Sequence, residues 1–350
     1  MSKASGYAAQ SAESALAPFS FERRDLREDD VSIDIDYCGV CHTDIHFANN
    51  DWGNSRFPVV PGHEIIGHVT AVGDKVSRFK VGDVVGVGCM VDSCRSCSAC
   101  DAGLEQYCFE GMTGTYNGLD RHDGSVTYGG YSDHVVVSER FVVNIPASLD
   151  LASAAPILCA GITTYSPLRH YGVKAGDKVG VIGMGGLGHM GVKFAKALGA
   201  EVTIFTRSES KVAEAKSQGA DHVVISTDPE QMAAVAGQFN FMLDTIPVQH
   251  DVNPYLEALR FDGSHILVGL LEPLEPTVNA RNLVYKRRVL AGSLIGGMPE
   301  TQEVLDFCAE HNITCDVEML DIRNINDAYE RMKKGDVKYR FVIDMKTLKD

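Results

Sequence analysis

Residues 178–207, KVGVIGMGGLGHMGVKFAKALGAEVTIFTR, constrain the fold more than any other stretch of this chain. An apolar strand from Val179 to Ile182 runs into Gly183-x-Gly185-x-x-Gly188, with Gly186 and Leu187 inside the motif. An amphipathic helix follows until Gly199, and a second strand from Glu201 to Phe205 completes a βαβ unit. A strand, turn and helix packed tightly by glycine would share the bare motif. The full succession in the required order selects dinucleotide binding, because glycines let the backbone approach a pyrophosphate where free N–H groups and the helix dipole favour anions.

The tip of the second strand reads the cofactor. A dinucleotide lacking the 2′-phosphate is gripped there by an acidic residue. Here the order is Thr206-Arg207-Ser208-Glu209-Ser210-Lys211, with hydroxyls and two cations where the acid would stand. Arg207, Ser208 and Lys211 offer charge-assisted donors to a phosphate, so the sequence predicts NADP rather than NAD. Glu209 opposes that reading, and a solvated turn would have a similar composition.

A second constraint is Cys94-x2-Cys97-x2-Cys100-x7-Cys108, in a polar loop without helical periodicity. Four thiolates this close fit a closed structural zinc site, which rigidifies a lobe and leaves no position for substrate. The compact ferredoxin run has three residues and then proline around its fourth cysteine, where this chain has seven residues, so an iron–sulfur cluster fits less well.

The segment Cys38 to Glu64, CGVCHTDIHFANNDWGNSRFPVVPGHE, gathers thiol, imidazole and carboxylate groups. Cys41 and His63 are candidate zinc ligands, although a buried thiol and a satisfied histidine would read the same way; Cys159 is a candidate third, in an apolar helical stretch where a lone cysteine usually packs in the core, and a fourth position left open would make the arrangement of a catalytic metal. Asp44 can orient a ligating imidazole, and Thr43 and His46 can pass a proton outward. Cys38-Gly-Val-Cys41 also has the spacing of a redox pair, but such a pair opens a helix after a strand, and the residues here are rich in His and Asp. Cys38, Cys89, Cys308 and Cys315 are read as packing residues, and His122, His134, His222 and His311 as surface or packing histidines.

Around these motifs, residues 31–37, 65–73, 84–88 and 129–137 read as short strands. In VSIDIDY, Val31, Ile33, Ile35 and Tyr37 would share the buried face. Near residue 150 the pattern turns helical through ASAAPILCAGITTYSPLRHYG, which carries Cys159 and marks a domain junction; the chemistry is expected in a cleft there. The length, 350 residues with 45% hydrophobic content, suits two domains. A formal net charge of −15 argues against nucleic acid or an anionic membrane as partner. No apolar run reaches the roughly 18 residues of a membrane span. The N-terminal stretch lacks a secretory apolar core, so the sequence predicts a cytoplasmic protein with its ten cysteines reduced or metal-bound.

Together, CGVCHTDIH (38–46), PGHE (61–64), the four-cysteine lobe, LCAGITTYSPL (158–168), GMGGLGHMGVKFAK (183–196), GSLIGGMPETQEVLDFCAEHNI (292–313) and VKYRFVID (337–344) resemble the zinc-dependent medium-chain alcohol dehydrogenases over nearly the whole chain. The last two motifs point to the cinnamyl-alcohol-dehydrogenase-like branch, and bacterial broad-specificity aldehyde reductases look most similar. The resemblance implies a Rossmann doubly wound parallel sheet inserted into a GroES-like β-barrel catalytic domain, an α/β plus all-β architecture. Residues 1–156, with the zinc lobe at 89–110, and 293–350 would form the catalytic domain, and 157–292 the Rossmann domain.

It further implies Cys41, His63 and Cys159 as catalytic zinc ligands, with Glu64 as an exchange ligand and Asp44 behind His63. Thr43 and His46 match a proton relay, and His42 a pyrophosphate contact. Trp52 falls in the substrate pocket, Ser293 and Ile295 flank the nicotinamide, and Arg340 matches a cofactor contact. Two zinc ions per chain, NADP(H), and reversible hydride transfer to aromatic and medium aliphatic aldehydes follow from the resemblance. So does a homodimer, with Gly297-Met298-Pro299 near its interface. A zinc-free quinone reductase would lack the metal ligands, and a nucleic-acid-binding zinc protein would leave the glycine motif unexplained.

Overall fold

The alternating segment at 31–37 forms the core of a ten-residue strand, Asp30–Gly39, in a computed structural model that describes residues 1–269 and 272–349. Val31, Ile33 and Ile35 are buried as their alternation predicts, but Tyr37 is only half-buried and Cys38 is fully buried. The pairing with Ile65–Val72 shifts register between Ile35 and Tyr37, and such an irregularity resets the side-chain phase. The inversion carries Cys38 into the interior immediately before the metal-ligand segment.

Met1–Cys159 and Gly296–Asp350 form one compact unit, and Ala160–Ile295 a second. In the first, the sheet runs in the order Val317–Asp321, Arg340–Asp344, Asp30–Gly39, Ile65–Val72, Val84–Val87, Val143–Asn144, and His134–Ser138 also pairs with Asp30–Gly39. The strand Arg340–Asp344 lies antiparallel to Asp30–Gly39, with Val342 opposite Gly39 and Ile343 opposite Cys38. Two parts of the chain 300 positions apart therefore meet at the start of the metal-ligand segment.

The four-cysteine lobe is tied to the helix Met298–His311. Glu105 Oε2 accepts the Met298 N–H at 2.9 Å, which satisfies one of the unpaired donors of that helix start.

The second unit carries six parallel strands in the order His222–Ile225, Glu201–Thr206, Lys178–Ile182, Phe239–Asp244, Leu259–Leu267, Val289–Gly292. This is the strand order of a dinucleotide-binding sheet, with its topological switch between Lys178–Ile182 and Phe239–Asp244. Ile182, Phe205, Phe239, Met242, Leu256 and Leu259 fill the core against one face, each buried large side chain contributing about 2 kcal/mol by removal from water.

Gly183 takes φ +94° as the chain leaves its strand, and a Cβ on Gly188 would run into the Gly183 carbonyl. These two positions require glycine, and they turn the chain into the helix Gly186–Ala197. Among the described residues no single helix is long and apolar enough to cross a membrane.

Candidate active site

Cys41 stands at the N-cap of the helix His42–Asn49, in extended conformation, so its sulfur lies at the positive end of that helix. The helical stretch expected at residues 152–172 breaks at Cys159. A 3-10 turn, Ala155–Leu158, ends there and the helix Ala160–His170 begins after it, which releases the Cys159 side chain from helical register.

These turns bring one ligand atom each from Cys41, His63, Glu64 and Cys159 within 4.8 Å of one another, all four residues buried. Cys41 Sγ is 3.8 Å from Cys159 Sγ, and His63 Nε2 is 3.2 Å from the same sulfur. Two thiolates bound to one tetrahedral zinc at ~2.3 Å would be separated by ~3.8 Å, so the sulfur spacing suits that ion.

The electrostatics suit a metal as well. The Cys41 thiol is drawn well below its ordinary pKa, first by the hydrogen bond from Cys159 and also by Arg340 and His63. Cys159, the partner in that bond, is pushed up, with burial adding to the effect.

Glu64 is fully buried, and among the described residues neither of its carboxylate oxygens has an aligned hydrogen-bond donor. Arg340 Nη2 lies 3.2 Å from Oε1, close enough for an ion pair but not aligned as a hydrogen bond, and Arg340 also donates Nη1 to the Val40 carbonyl at 3.3 Å. Burial pushes the Glu64 carboxyl up to about 8 against the opposing pull of Arg340. The space the carboxylate occupies exists because residue 39 is glycine; a Cβ there would collide with it. A buried carboxylate with unsatisfied oxygens beside two thiols and an imidazole fits an exchangeable metal ligand.

Asp44 binds the backbone N–H of Cys41 at 2.8 Å and of Gly62 at 3.1 Å, and its Oδ1 is 3.4 Å from His63 Nδ1. His63 therefore turns Nδ1 to the carboxylate and Nε2 to the thiols. Thr43 Oγ1 lies 3.6 Å from Cys41 Sγ. His46, one turn further along the helix, is half-buried, with Nδ1 2.7 Å from Asp51 Oδ2 and its ring centroid 4.9 Å from that of Trp52. Trp52 also packs edge-on against Phe47 at 5.0 Å. His42, in the same first turn, is exposed.

Asp51 is absent from the sequence analysis, and Cys89 enters it only as a packing residue. Asn50 closes the helix in the left-handed conformation, φ 59°, and this reversal swings Asp51 and Trp52 back onto His46. An asparagine after a helical run, followed by an acid, is the signal that was available. Cys89, read as packing, is half-buried and faces Cys159 and His63, and its thiol is lowered to about 6, first by Cys159.

Cys94, Cys97, Cys100 and Cys108 also present their sulfurs within 4.8 Å of one another. Cys97 and Cys100 are 3.5 Å apart, and Cys94 and Cys100 3.9 Å. Backbone N–H groups of Cys94 and Phe109 point at the Cys108 and Cys97 sulfurs.

In the second unit, Gly183, Gly185, Gly186, Leu187 and Gly188 turn into the helix start, and open space lies where a Gly185 Cβ would point. Thr206 ends its strand, Arg207 and Ser208 are exposed beyond it, and Ser208 caps the next turn. Lys211 Nζ is 3.0 Å from Glu214 Oε2. Ser293 donates its N–H to Leu267, and Ile295 is buried at φ 37°, a region that a β-branched residue rarely adopts.

Residues 27–147 match the alcohol dehydrogenase GroES-like domain, and residues 186–310 match the zinc-binding dehydrogenase family. The chain is 52% identical to the aldehyde reductase YahK of Escherichia coli, with 98% of each chain covered. A cinnamyl alcohol dehydrogenase structure from Sorghum bicolor superposes with TM-score 0.95 at 45% identity, covering 99% of this chain and 98% of the other. The structure of a Helicobacter pylori enzyme titled CAD, complexed with NADP(H), superposes with TM-score 0.92 at 43% identity over 98% of both chains.

Proposed function

This chain belongs to the zinc-dependent medium-chain alcohol dehydrogenases, in their cinnamyl-alcohol-dehydrogenase-like branch, and on that premise we propose that it reduces aromatic and medium aliphatic aldehydes reversibly to primary alcohols with NADPH. It is an oxidoreductase, and interconversion of alcohols and aldehydes is its chemistry. The observation that carries the finer reading is the buried group of Cys41, His63, Cys159 and Glu64.

Cys41, His63 and Cys159 would hold the catalytic zinc, with Glu64 as the exchangeable fourth ligand. Cys94, Cys97, Cys100 and Cys108 would hold a structural ion. When bound, zinc supplies Lewis acidity at the carbonyl oxygen and NADPH supplies the hydride.

The chain's own residues handle the proton. The Thr43 hydroxyl, beside Cys41 Sγ, can give a proton to the nascent alcohol and take one from the His46 side of the helix. Asp51 holds the His46 Nδ1–H, which leaves Nε2 as the atom that exchanges protons, and the half-exposed ring reaches solvent. Trp52, against His46, supplies an apolar wall for an aromatic or aliphatic substrate.

Arg207 and Ser208 would grip the 2′-phosphate, joined by Lys211 once its amine turns from Glu214. The relative solved with NADP(H) supports this choice. The edge strand Val289–Gly292 of the parallel sheet begins at exposed Val289, and Leu294 just beyond it is also exposed, which supports a homodimer; a monomer in sedimentation would refute it.

The test is the initial rate of benzaldehyde or cinnamaldehyde reduction with NADPH and NADH side by side. A strong NADPH preference is expected. Equal or faster turnover with NADH would overturn the phosphate site, and no turnover with either in zinc-replete protein would overturn the substrate class. Lys211→Ala should raise the KM for NADPH about tenfold while sparing NADH, since a charge-assisted contact is involved.

A further inference from the structure

Asp44 behind His63 accepts from more than the ligand it orients. Its Oδ2 receives the Cys41 N–H at 2.8 Å and the Tyr131 hydroxyl at 3.1 Å; its Oδ1 receives the Gly62 N–H at 3.1 Å and faces His63 Nδ1 at 3.4 Å. Four donors occupy the acceptor positions of one carboxylate. Three of them belong to Cys41, to His63, or to the residue just before His63, so they move with the metal-ligand segments themselves. Of these four, only Tyr131 comes from another segment; the buried Tyr116 phenol also faces Asp44, without an aligned hydrogen bond.

Its own placement is fixed by its backbone on both sides. Tyr131 is fully buried, donates its backbone N–H to the Pro61 carbonyl at 2.9 Å, and accepts the Tyr7 N–H at 2.9 Å. Gly62, at φ +101°, lets the tyrosine ring pass: a Cβ on Gly62 would stand 2.7 Å from the Tyr131 Cδ1. A rigid phenol thus sets where Asp44 Oδ2 lies, and Asp44 in turn sets the direction of the His63 ring.

We propose that Tyr131 is a positioning residue of the buried Cys41–His63–Cys159 metal centre, acting through its hydroxyl on Asp44 to hold His63 in ligand orientation. The inference rests on the metal reading of that cluster given above. Partners behind a metal-ligating histidine set metal affinity by about 10- to 100-fold; a donor one bond further out belongs at the lower end of that range.

The experiment follows zinc release from the full-length, zinc-loaded protein to a chromophoric chelator, in wild type, Tyr131→Phe and Tyr329→Phe. The release phase missing from Cys159→Ala identifies the buried site, and the remaining phase is the four-cysteine lobe. Tyr329 is also buried, and its hydroxyl is directed at that of Tyr131 rather than at a carboxylate oxygen of Asp44, so Tyr329→Phe removes a neighbouring hydroxyl while leaving the Tyr131–Asp44 bond in place.

Tyr131→Phe is expected to bind zinc about tenfold more weakly at the buried site, with the lobe phase and thermal midpoint close to wild type, and Tyr329→Phe is expected to match wild type. An unchanged buried phase in Tyr131→Phe would overturn the proposal, as would equal weakening of both phases or the same loss in Tyr329→Phe. A wild-type protein that releases only one zinc would instead overturn the metal reading on which the proposal stands.

Discussion

The lobe thiols Cys94 and Cys108 are 14 positions apart, with Cys97 and Cys100 between them, whereas Cys41 and Cys159 of the buried cluster are 118 positions apart and His63 comes from a third segment. In the lobe, each sulfur is presented by turns and by backbone N–H groups of the same loop, so local chemistry alone completes the site. In the buried cluster, ligands converge only because the strand Asp30–Gly39, the Gly62 turn and the break at Cys159 are fixed by the rest of the unit. The lobe is a closed set of four like ligands. The buried cluster mixes two thiols, an imidazole and a carboxylate that Arg340 holds only loosely, which is the composition of a site that exchanges ligands.

The largest expected effect separates the two by function. Cys159→Ala should lower kcat/KM for aldehyde reduction about 10³-fold, because Lewis-acid stabilisation is worth several kcal/mol and each ~1.4 kcal/mol is tenfold. Zinc content should fall from two to one per chain while the cofactor still binds. Near-wild-type activity in this variant would erase the distinction.

Next in size is thiol reactivity in zinc-stripped protein. Cys97 is lowered to about 6 by the N–H groups of Phe109 and Cys100, whereas burial pushes Cys38 well above its ordinary value. The Cys97 thiolate fraction rises as pH climbs through about 6, so alkylation should be nearly maximal by pH 7, when Cys38 is still a thiol. Peptide mapping at pH 7 should find Cys97 modified about 100-fold faster. Equal rates would mean that the lobe does not activate its sulfurs locally.

Cys100→Ala should leave kcat within a few-fold of wild type but lower Tm by about 3 °C, the shift for a lost structural contribution of about 2 kcal/mol in a chain of this size. A large loss of kcat in the folded variant would make the lobe part of the chemistry. A stability effect of the same size concerns space around the buried cluster. Gly39→Ala drives a methyl group into the Glu64 carboxylate and should destabilise by about 2 kcal/mol, read by denaturant unfolding, with the lobe's zinc retained.

The same contrast governs what could be read from sequence. The lobe and the glycine motif were legible because their geometry is local: a short cysteine spacing, and a strand, turn and helix in succession. Cys41 and His63 were legible as ligand types, and Cys159 became legible through family resemblance, since nothing in an apolar helical stretch marks a cysteine as a ligand. Asp51 escaped because it reaches His46 only through the left-handed Asn50, and Tyr131 because it approaches Asp44 from a segment 87 positions away. Tyr37 was placed on the wrong face because alternation carries no record of a register shift. At the cofactor tip the residue types were readable, but the pairing of Lys211 with Glu214 depends on how the following turn packs.

The most direct test of the central claim, that the buried cluster carries the reaction and the lobe carries structure, is stepwise chelation with zinc content and NADPH-dependent benzaldehyde reduction measured on the same samples. Activity is predicted to vanish in proportion to the first zinc lost from the buried site, with circular dichroism unchanged and full recovery on zinc readdition. Activity that persists after that site is emptied, or that tracks loss from the four-cysteine lobe instead, would contradict the account.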